Sequence, residues 1–472
     1  MTGTVPQVPA NTALPDGFQV QIDRQCVAGG DLRYLVGGSP MRILKLSREA
    51  LGMTSYDGRI AVVDDRTRSL ARTLLDAGIG LPRPMSGPTP DQVTVVVPVR
   101  DDQDGIDRLL PALHGLSVIV VDDGSAEPIR VTGDNARVLR MPCNLGPAAA
   151  RNAGAEAAET EYVAFLDADT MPVGEWLTML LGHFSDPTVA IVAPRIVGRQ
   201  RVSGCSPVAR YANACSSLDM GPDEAAVAPG SPLAYVPSAA MVVRRSAFAG
   251  FDESLRVAED VDLCWRTHRL GWRVYYDPVA MVRHEHREQL GSMLGRRRFY
   301  GTGAAQLASR HGEAAAPVMS TSMVAATVIA LLTRTRIGAA VAAVLAVVMG
   351  LRLRAKFSDV PGADLLAART TVRAVGYGLA QAAAAMLRHY WPISVLLALV
   401  WPKFRRLVVE LALAEGLYMW ARRQVSQDRS PAMGPLDFLV LYRLDDLAYG
   451  TGLWQGALHS RSAGALRPVL KR

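Results

Sequence analysis

Val118-Ile-Val-Val-Asp-Asp-Gly-Ser125 is an apolar run that ends in two carboxylates, a glycine and a serine. Four consecutive β-branched residues mark a strand buried on both faces. Asp122 and Asp123 then fall just past the carboxyl end of that strand, where open α/β sheets bind ligands. An Asp-Gly turn closing a strand is common by itself. The stretch gains weight from Phe165-Leu-Asp-Ala-Asp169, whose first aspartate comes 45 residues after Asp122. Asp167 and Asp169 again follow an apolar run, Tyr162–Leu166. Carboxylates repeated at one sheet edge suit a polyanionic, metal-bound substrate such as a sugar nucleotide, because hard cations take carboxylate oxygens and share substrate phosphates.

Outward from this stretch the pattern alternates. Strands are expected at Val93–Val99, Val118–Val121, Tyr162–Leu166 and Val189–Val192. Helices are expected at Gln103–Leu113, Ala148–Ala158 and Gly174–Phe184. Such alternation predicts an α/β domain with a mainly parallel, doubly wound sheet. Ahead of it, Phe18–Ile22 and Arg33–Val36 read as strands, Leu44–Glu49 as the entry to a helix, and Thr67–Ala77 as a helix ended by Gly78. That is the content of a small winged-helix-like module. Pro82, Pro84, Pro88 and Pro90 mark an extended linker. After Pro317 the chain turns Ala/Val-rich. The expected organisation is a module over 1–80, a linker over 81–90, the α/β domain over 91–312 and a helical region over 313–472.

The 472 residues carry a net charge of +7, without Lys/Arg runs interleaved with aromatics, which argues against nucleic acid as a partner. The positive charge lies late, in Arg296-Arg297-Arg298, Arg352–Lys356 and Lys403–Arg406. Beside apolar stretches, this places the chain at the cytoplasmic face of a membrane. Val318–Leu332 and Ile337–Met349 hold 15 and 13 residues, short of the roughly twenty that cross a bilayer. A tilted hairpin, an interfacial helix and alanine-rich helices packed on the α/β domain all fit. Five cysteines without a C-x-x-C pair indicate a reducing compartment. No basic-then-apolar leader is visible over Met1–Gly17.

Three further segments carry candidate chemistry. Asn144–Gly154 is a turn followed by a helix, with Arg151 able to face a diphosphate or to pair with a nearby aspartate. Arg256-Val-Ala-Glu-Asp-Val-Asp-Leu-Cys-Trp-Arg266 is a loop entering a helix. There Glu259 or Asp260 either caps the helix or, as Asp260, serves as general base for an acceptor hydroxyl. Asp262 reads as first-turn capping. In Met281-Val-Arg-His-Glu-His286, His284 is either a metal ligand or, with His286, part of a polar edge strand.

Val95–Arg100, Val121–Ser125, Asn144–Gly154, Leu166–Asp169, Gly250–Asp252 and Glu259–Arg266, in this order, resemble the inverting family-2 glycosyltransferases of the GT-A fold. The resemblance covers Val93 to Arg287. It implies a nucleotide-sugar site formed by Pro98, Asp122, Asp123, Arg151 and Asp167. It also implies Mg²⁺ or Mn²⁺ on Asp169 and His284, and Asp260 as the base. The whole layout is similar to the mycofactocin-system glycosyltransferases, with the first module resembling leader-peptide recognition domains. That likeness implies hexose transfer, expected to be of glucose, to a peptide-derived cofactor precursor or its carrier peptide. A polyprenyl or cell-wall glycolipid acceptor is the alternative. The Gln-x-x-Arg-Trp motif of processive polysaccharide synthases is absent, which disfavours long-chain polymerisation.

Overall fold

The computed structural model describes residues 6–27, 32–84, 86–199, 206–286, 289–426 and 433–471. Cys205 lies outside them, and Cys26, Cys143 and Cys264 are free thiols. The chain divides into two units.

The first unit begins with the small module. It contains β1 (Gln19–Ile22), β2 (Tyr34–Gly37), β3 (Arg42–Lys45), α1 (Arg48–Gly52), β4 (Arg59–Ala61), α2 (Asp65–Asp76) and β5 (Gly80–Arg83). Three strands form an antiparallel sheet in the order β4-β1-β5, and β2 pairs with β3 as a separate hairpin. Alternating residues Val20 and Ile22 pack with Leu35, Ile60, Leu74 and Ile79. Asp64 and Thr67 close a reciprocal cap at the start of α2. Gly78, at φ 64°, follows the helix in a conformation that favours glycine.

Two expectations need correction here. Leu44 and Lys45 end a strand, and the helix starts only at Arg48, because the Ser47 side chain accepts the Ala50 N–H at 3.0 Å. The expected linker begins as β5, with Pro82 opposite Val20. Proline is tolerated there because β5 is an edge strand, where a missing N–H breaks no ladder bond. Nor is the module loosely tethered. Arg72 grips the buried Asp186 with two bonds of 2.8 and 2.9 Å, Arg83 pairs with Glu224, and Arg273 pairs with Asp76.

The rest of this unit is built on β6 (Val93–Val99), α3 (Gln103–Leu109), β7 (Ser117–Asp122), β8 (Ala136–Arg140), α4 (Pro147–Glu156), β9 (Tyr162–Leu166), β10 (Thr170–Val173), α5 (Trp176–Leu181) and β11 (Val189–Gly198). The chain then contributes α6 (Pro207–Ala214) to the second unit and returns for β12 (Ala225–Val227), β13 (Ala240–Arg244), α7 (Glu259–Arg269) and β14 (Arg273–His284). The sheet runs β10-β14-β11-β13-β9-β6-β7-β8, with β12 on β14. It is a GT-A-like α/β sheet, but a mixed one. β6, β7, β8 and β9 pair in parallel, as do β11 and β14, whereas β13 runs antiparallel to both β9 and β11. The expectation of a mainly parallel sheet fails at β13. Its apolar run, Ala240–Val243, is buried like the others, and burial on both faces does not encode direction.

The second unit is helical. Beyond α6 it comprises α8 (Leu290–His311), α9 (Ser322–Leu332), α10 (Arg336–Lys356), α11 (Ala363–Ala384), α12 (Trp391–Val400), α13 (Pro402–Ser426) and α14 (Pro435–His459). A side chain on Gly301, Gly452 or Gly456 would collide with the facing backbone, so α8 and α14 meet through glycine. Since α8 belongs here, the boundary falls after His286 rather than at 312. The expected apolar stretch at 337–349 is the N-terminal two thirds of a 21-residue helix. At 1.5 Å per residue α10 is about 31 Å long, close to the thickness of a hydrocarbon core. Its Ile337, Val344, Val347 and Leu351 are all exposed. The helical stretch 363–389 and α12 meet at a bend of 87°.

Candidate active site

The site is assembled at the carboxyl ends of β6, β7 and β9. Asp122 ends β7 with its side chain fully buried. One oxygen accepts the Ser125 N–H at 2.8 Å; the other accepts Arg140 Nη1 at 2.7 Å and the Ile129 N–H at 3.3 Å. Burial alone would raise its pKa, but the bonds from Ser125 and Ile129 and the Arg140 charge outweigh it, and the carboxyl titrates below its usual range. Asp122 therefore fixes the loop that follows β7. Asp123 joins two loops: it accepts the Leu145 and Gly146 N–H groups at 2.8 and 2.9 Å, and donates its own N–H to Val99 O. Pro98 lies opposite Val121 in β6, partly buried.

Arg151 was open to two roles, and the structure realises the ion pair. Buried in α4, it donates to Asp167 at 2.6 Å and to Glu259 at 3.3 Å, with its guanidinium over the Phe251 ring. Burial opposes its charge, but Asp167 and Glu259 outweigh that and raise its pKa. Asp167 and Asp260 are linked through adjacent residues of one segment. Asp167 donates its N–H to Ala239 O at 3.0 Å, and Asp260 Oδ2 accepts the Ser238 N–H at 3.4 Å. Asp260 also accepts the Val261 N–H at 2.8 Å. Burial, and then the neighbouring charge of Glu259, push its pKa up to about 7. A carboxylate that titrates near neutrality is suited to take and return a proton.

The chain enters α7 through Ala258 at φ 64°, left-handed backbone that a non-glycine residue adopts at a cost of order 1–3 kcal/mol. This turn aims Glu259 at Arg151 while Asp260 faces Ser238. Asp262, in the first turn of α7, accepts Arg266 Nε at 2.6 Å, and Arg266 reaches Gly250 O at 2.7 Å. Asn152, one residue after Arg151, holds both the N–H and the carbonyl of Phe251.

Asp169 and His284 come together across β10 and β14, where Thr170 is opposite His284. Asp169 Oδ2 lies 3.2 Å from His284 Nε2, and the His286 ring is 5.1 Å from that of His284. Among the described residues no three acidic, His or Cys side chains form a metal-binding group. A carboxylate beside an imidazole nevertheless fits a divalent cation that draws its remaining ligands from water and substrate phosphates.

The description Glycosyl transferase family 2 matches residues 94–249, the span that carries Asp122 to Asp169. The pre-mycofactocin glycosyltransferase of Mycobacterium tuberculosis is 47% identical over 471 residues, covering 98% of this chain and 99% of that protein. The chain belongs to the family 2 glycosyltransferases. A second relative, the poly-β-1,6-N-acetyl-D-glucosamine synthase of Staphylococcus aureus, is 25% identical over 221 residues, 43% of this chain and 52% of that one. Among solved structures, a mannosyltransferase from Pyrobaculum calidifontis with GDP-Man and Mn²⁺ is similar at TM-score 0.34 and 17% identity, covering 72% of this chain and 90% of that one.

Sequence reasoning about this family 2 glycosyltransferase missed several supporting groups. Arg140 sits on β8, an unpredicted strand of middling burial, and only its place next to β7 reveals it as the partner of Asp122. The Ser238–Ala239 segment works through backbone atoms, which leave no residue-type signal. Ala258 gives no hint of its left-handed conformation, since glycine would be the expected residue there.

Proposed function

We propose that this glycosyltransferase moves a hexose, with glucose expected, from a nucleoside-diphosphate sugar such as UDP-glucose to pre-mycofactocin, inverting the anomeric centre. The observation that carries the acceptor is the 47% identity running through both units to a pre-mycofactocin glycosyltransferase. Asp260 is the base: it takes the proton of the acceptor hydroxyl as the new C–O bond forms at the anomeric carbon and the bond to the diphosphate breaks. One in-line displacement inverts the configuration. Arg151 keeps Asp167 and Glu259 in register behind the reacting atoms. Asp123 shapes the nucleotide side through the 144–146 loop. A bound Mg²⁺ or Mn²⁺, held by Asp169 and His284, would offset charge growing on the departing diphosphate.

We place the enzyme at the cytoplasmic face of the membrane. The reading is supported by the length and exposed apolar residues of α10 and by the basic Arg352–Lys356 at its end. The small N-terminal module is assigned to peptide capture on its likeness to leader-recognition domains. The test incubates the full chain with pre-mycofactocin and a panel of nucleotide sugars and follows acceptor mass. A gain in steps of one hexose supports the reading. Unchanged pre-mycofactocin, with a polyprenyl phosphate glycosylated instead, overturns it. Resistance to carbonate extraction tests the membrane assignment.

A further inference from the structure

We infer that Arg256 is a positioning residue that locks the base-bearing segment onto the nucleotide-side loop, so that its loss impairs turnover more than donor binding. The inference rests on the transferase reading above, with Asp260 as base.

The contact joins residues far apart in sequence. Arg256 Nη1 donates to Leu145 O at 3.1 Å. The two residues it meets, Leu145 and Gly146, are the same two whose N–H groups Asp123 accepts. The tie therefore runs from Val99 O at the end of β6, through Asp123, to the 144–146 loop, and on to Arg256. From there it is two residues to Ala258 and four to Asp260. Gly146 serves this tie twice. Its φ of 96° favours glycine, and a Cβ there would lie 2.8 Å from Arg256 Nη1. A side chain at this position, 110 residues earlier, would make the guanidinium shift.

Arg256 is needed because the backbone beyond it is strained. Ala258 is left-handed without being glycine, and such a residue persists only where its surroundings over-determine it. C-terminal to Ala258, the Arg151–Glu259 pair and the Asp262–Arg266–Gly250 chain hold the first turns of α7. N-terminal to it, the Leu255 N–H bonds only within its own loop, to Asp252 O. Earlier in the approach, Asn152 on α4 holds Phe251 and Glu253; Arg256 adds the contact nearest the turn, to Leu145 O in the 144–146 loop. Arg256 is an exposed residue, so the fold does not depend on burying it. Losing it frees the carboxylate of Asp260 to drift, and a base misplaced by about 1 Å can cost on the order of 10²-fold in rate.

The experiment compares Arg256→Ala and Arg256→Lys with the full wild-type chain. It measures kcat and the KM for donor with pre-mycofactocin, nucleoside diphosphate affinity by calorimetry, and the melting temperature. Expected for Arg256→Ala is a kcat lower by about 10–100-fold, with diphosphate affinity within about threefold of wild type and an unchanged melting temperature. Arg256→Lys, which can still donate to Leu145 O, should recover most of the loss. Wild-type kcat in Arg256→Ala overturns the inference. So does a loss confined to donor KM and diphosphate affinity, which would make Arg256 a donor-contact residue instead. A wild-type enzyme that transfers no sugar to pre-mycofactocin defeats the function reading, a separate result from either.

Discussion

Asp122-Asp123 and Glu259-Asp260 are both adjacent acid pairs at the rim of one sheet, and they are treated oppositely. The first pair is saturated. Its four carboxylate oxygens receive four backbone N–H groups and one guanidinium, and Asp122 titrates low. Asp260, in the second pair, receives two N–H groups, one of them at 3.4 Å, too few to offset its burial and then the neighbouring charge of Glu259, so its pKa rises. The supply of donors sorts the carboxylates: well-supplied ones hold loops, and a poorly supplied one is left with basicity to use.

The sharpest way to break this contrast is Asp260→Asn. It should lower turnover about 10²–10⁴-fold, the range for a lost general base. It should also raise the melting temperature at pH 8. The folded pKa near 7 exceeds the ordinary 3.8, so the folded state loses stability as pH rises between those values, and asparagine removes that loss. A melting temperature below wild type at pH 8 would contradict the poised state.

Asp169→Ala should abolish metal-dependent binding of nucleoside diphosphate with the fold intact. Unchanged Mn²⁺-dependent heats in calorimetry would remove Asp169 from the site. Asp122→Ala should instead act on stability, by about 2–3 kcal/mol in urea unfolding, because it strands buried donors. Little of that comes from the Arg140 charge, since Arg140 is partly exposed. The smallest effect is Glu259→Gln: with the neighbouring charge gone, the acid limb of the pH–rate profile should move below that of wild type. A limb that stays in place would mean Glu259 does not set the basicity of Asp260.

The sequence was most legible where one physical cause dominates. Val93–Val99 and Tyr162–Leu166 are strands over the expected residues because continuous β-branched and aromatic runs are buried on both faces. The helix expected through Leu113 gives way to a tighter 3₁₀ turn at Leu110, just before Pro111. Proline's missing N–H makes that legible only in hindsight. Direction in the sheet was not readable, as β13 shows. Of the site, residue types and spacing located the acids, but not which were already occupied. Occupancy comes from partners such as Arg140 and the Leu145 amide, brought in from 18 and 22 positions away.

Because α6 is drawn out of the catalytic unit and belongs to the helical one, the helical unit is no removable appendage. Tyr211 is fully buried, with its hydroxyl 2.9 Å from Asp445 on α14 and its ring against Phe438. A stop codon after His286 would delete those partners and leave a stranded apolar helix in the middle of the remaining chain. Recombination that swapped the helical unit for another would have to exchange two separated stretches of gene at once, 206–214 and 289–471. Inheritance of the two units as a block is therefore built into the chain path, and a soluble catalytic fragment calls for a redesigned 199–215 crossing as well as an earlier end.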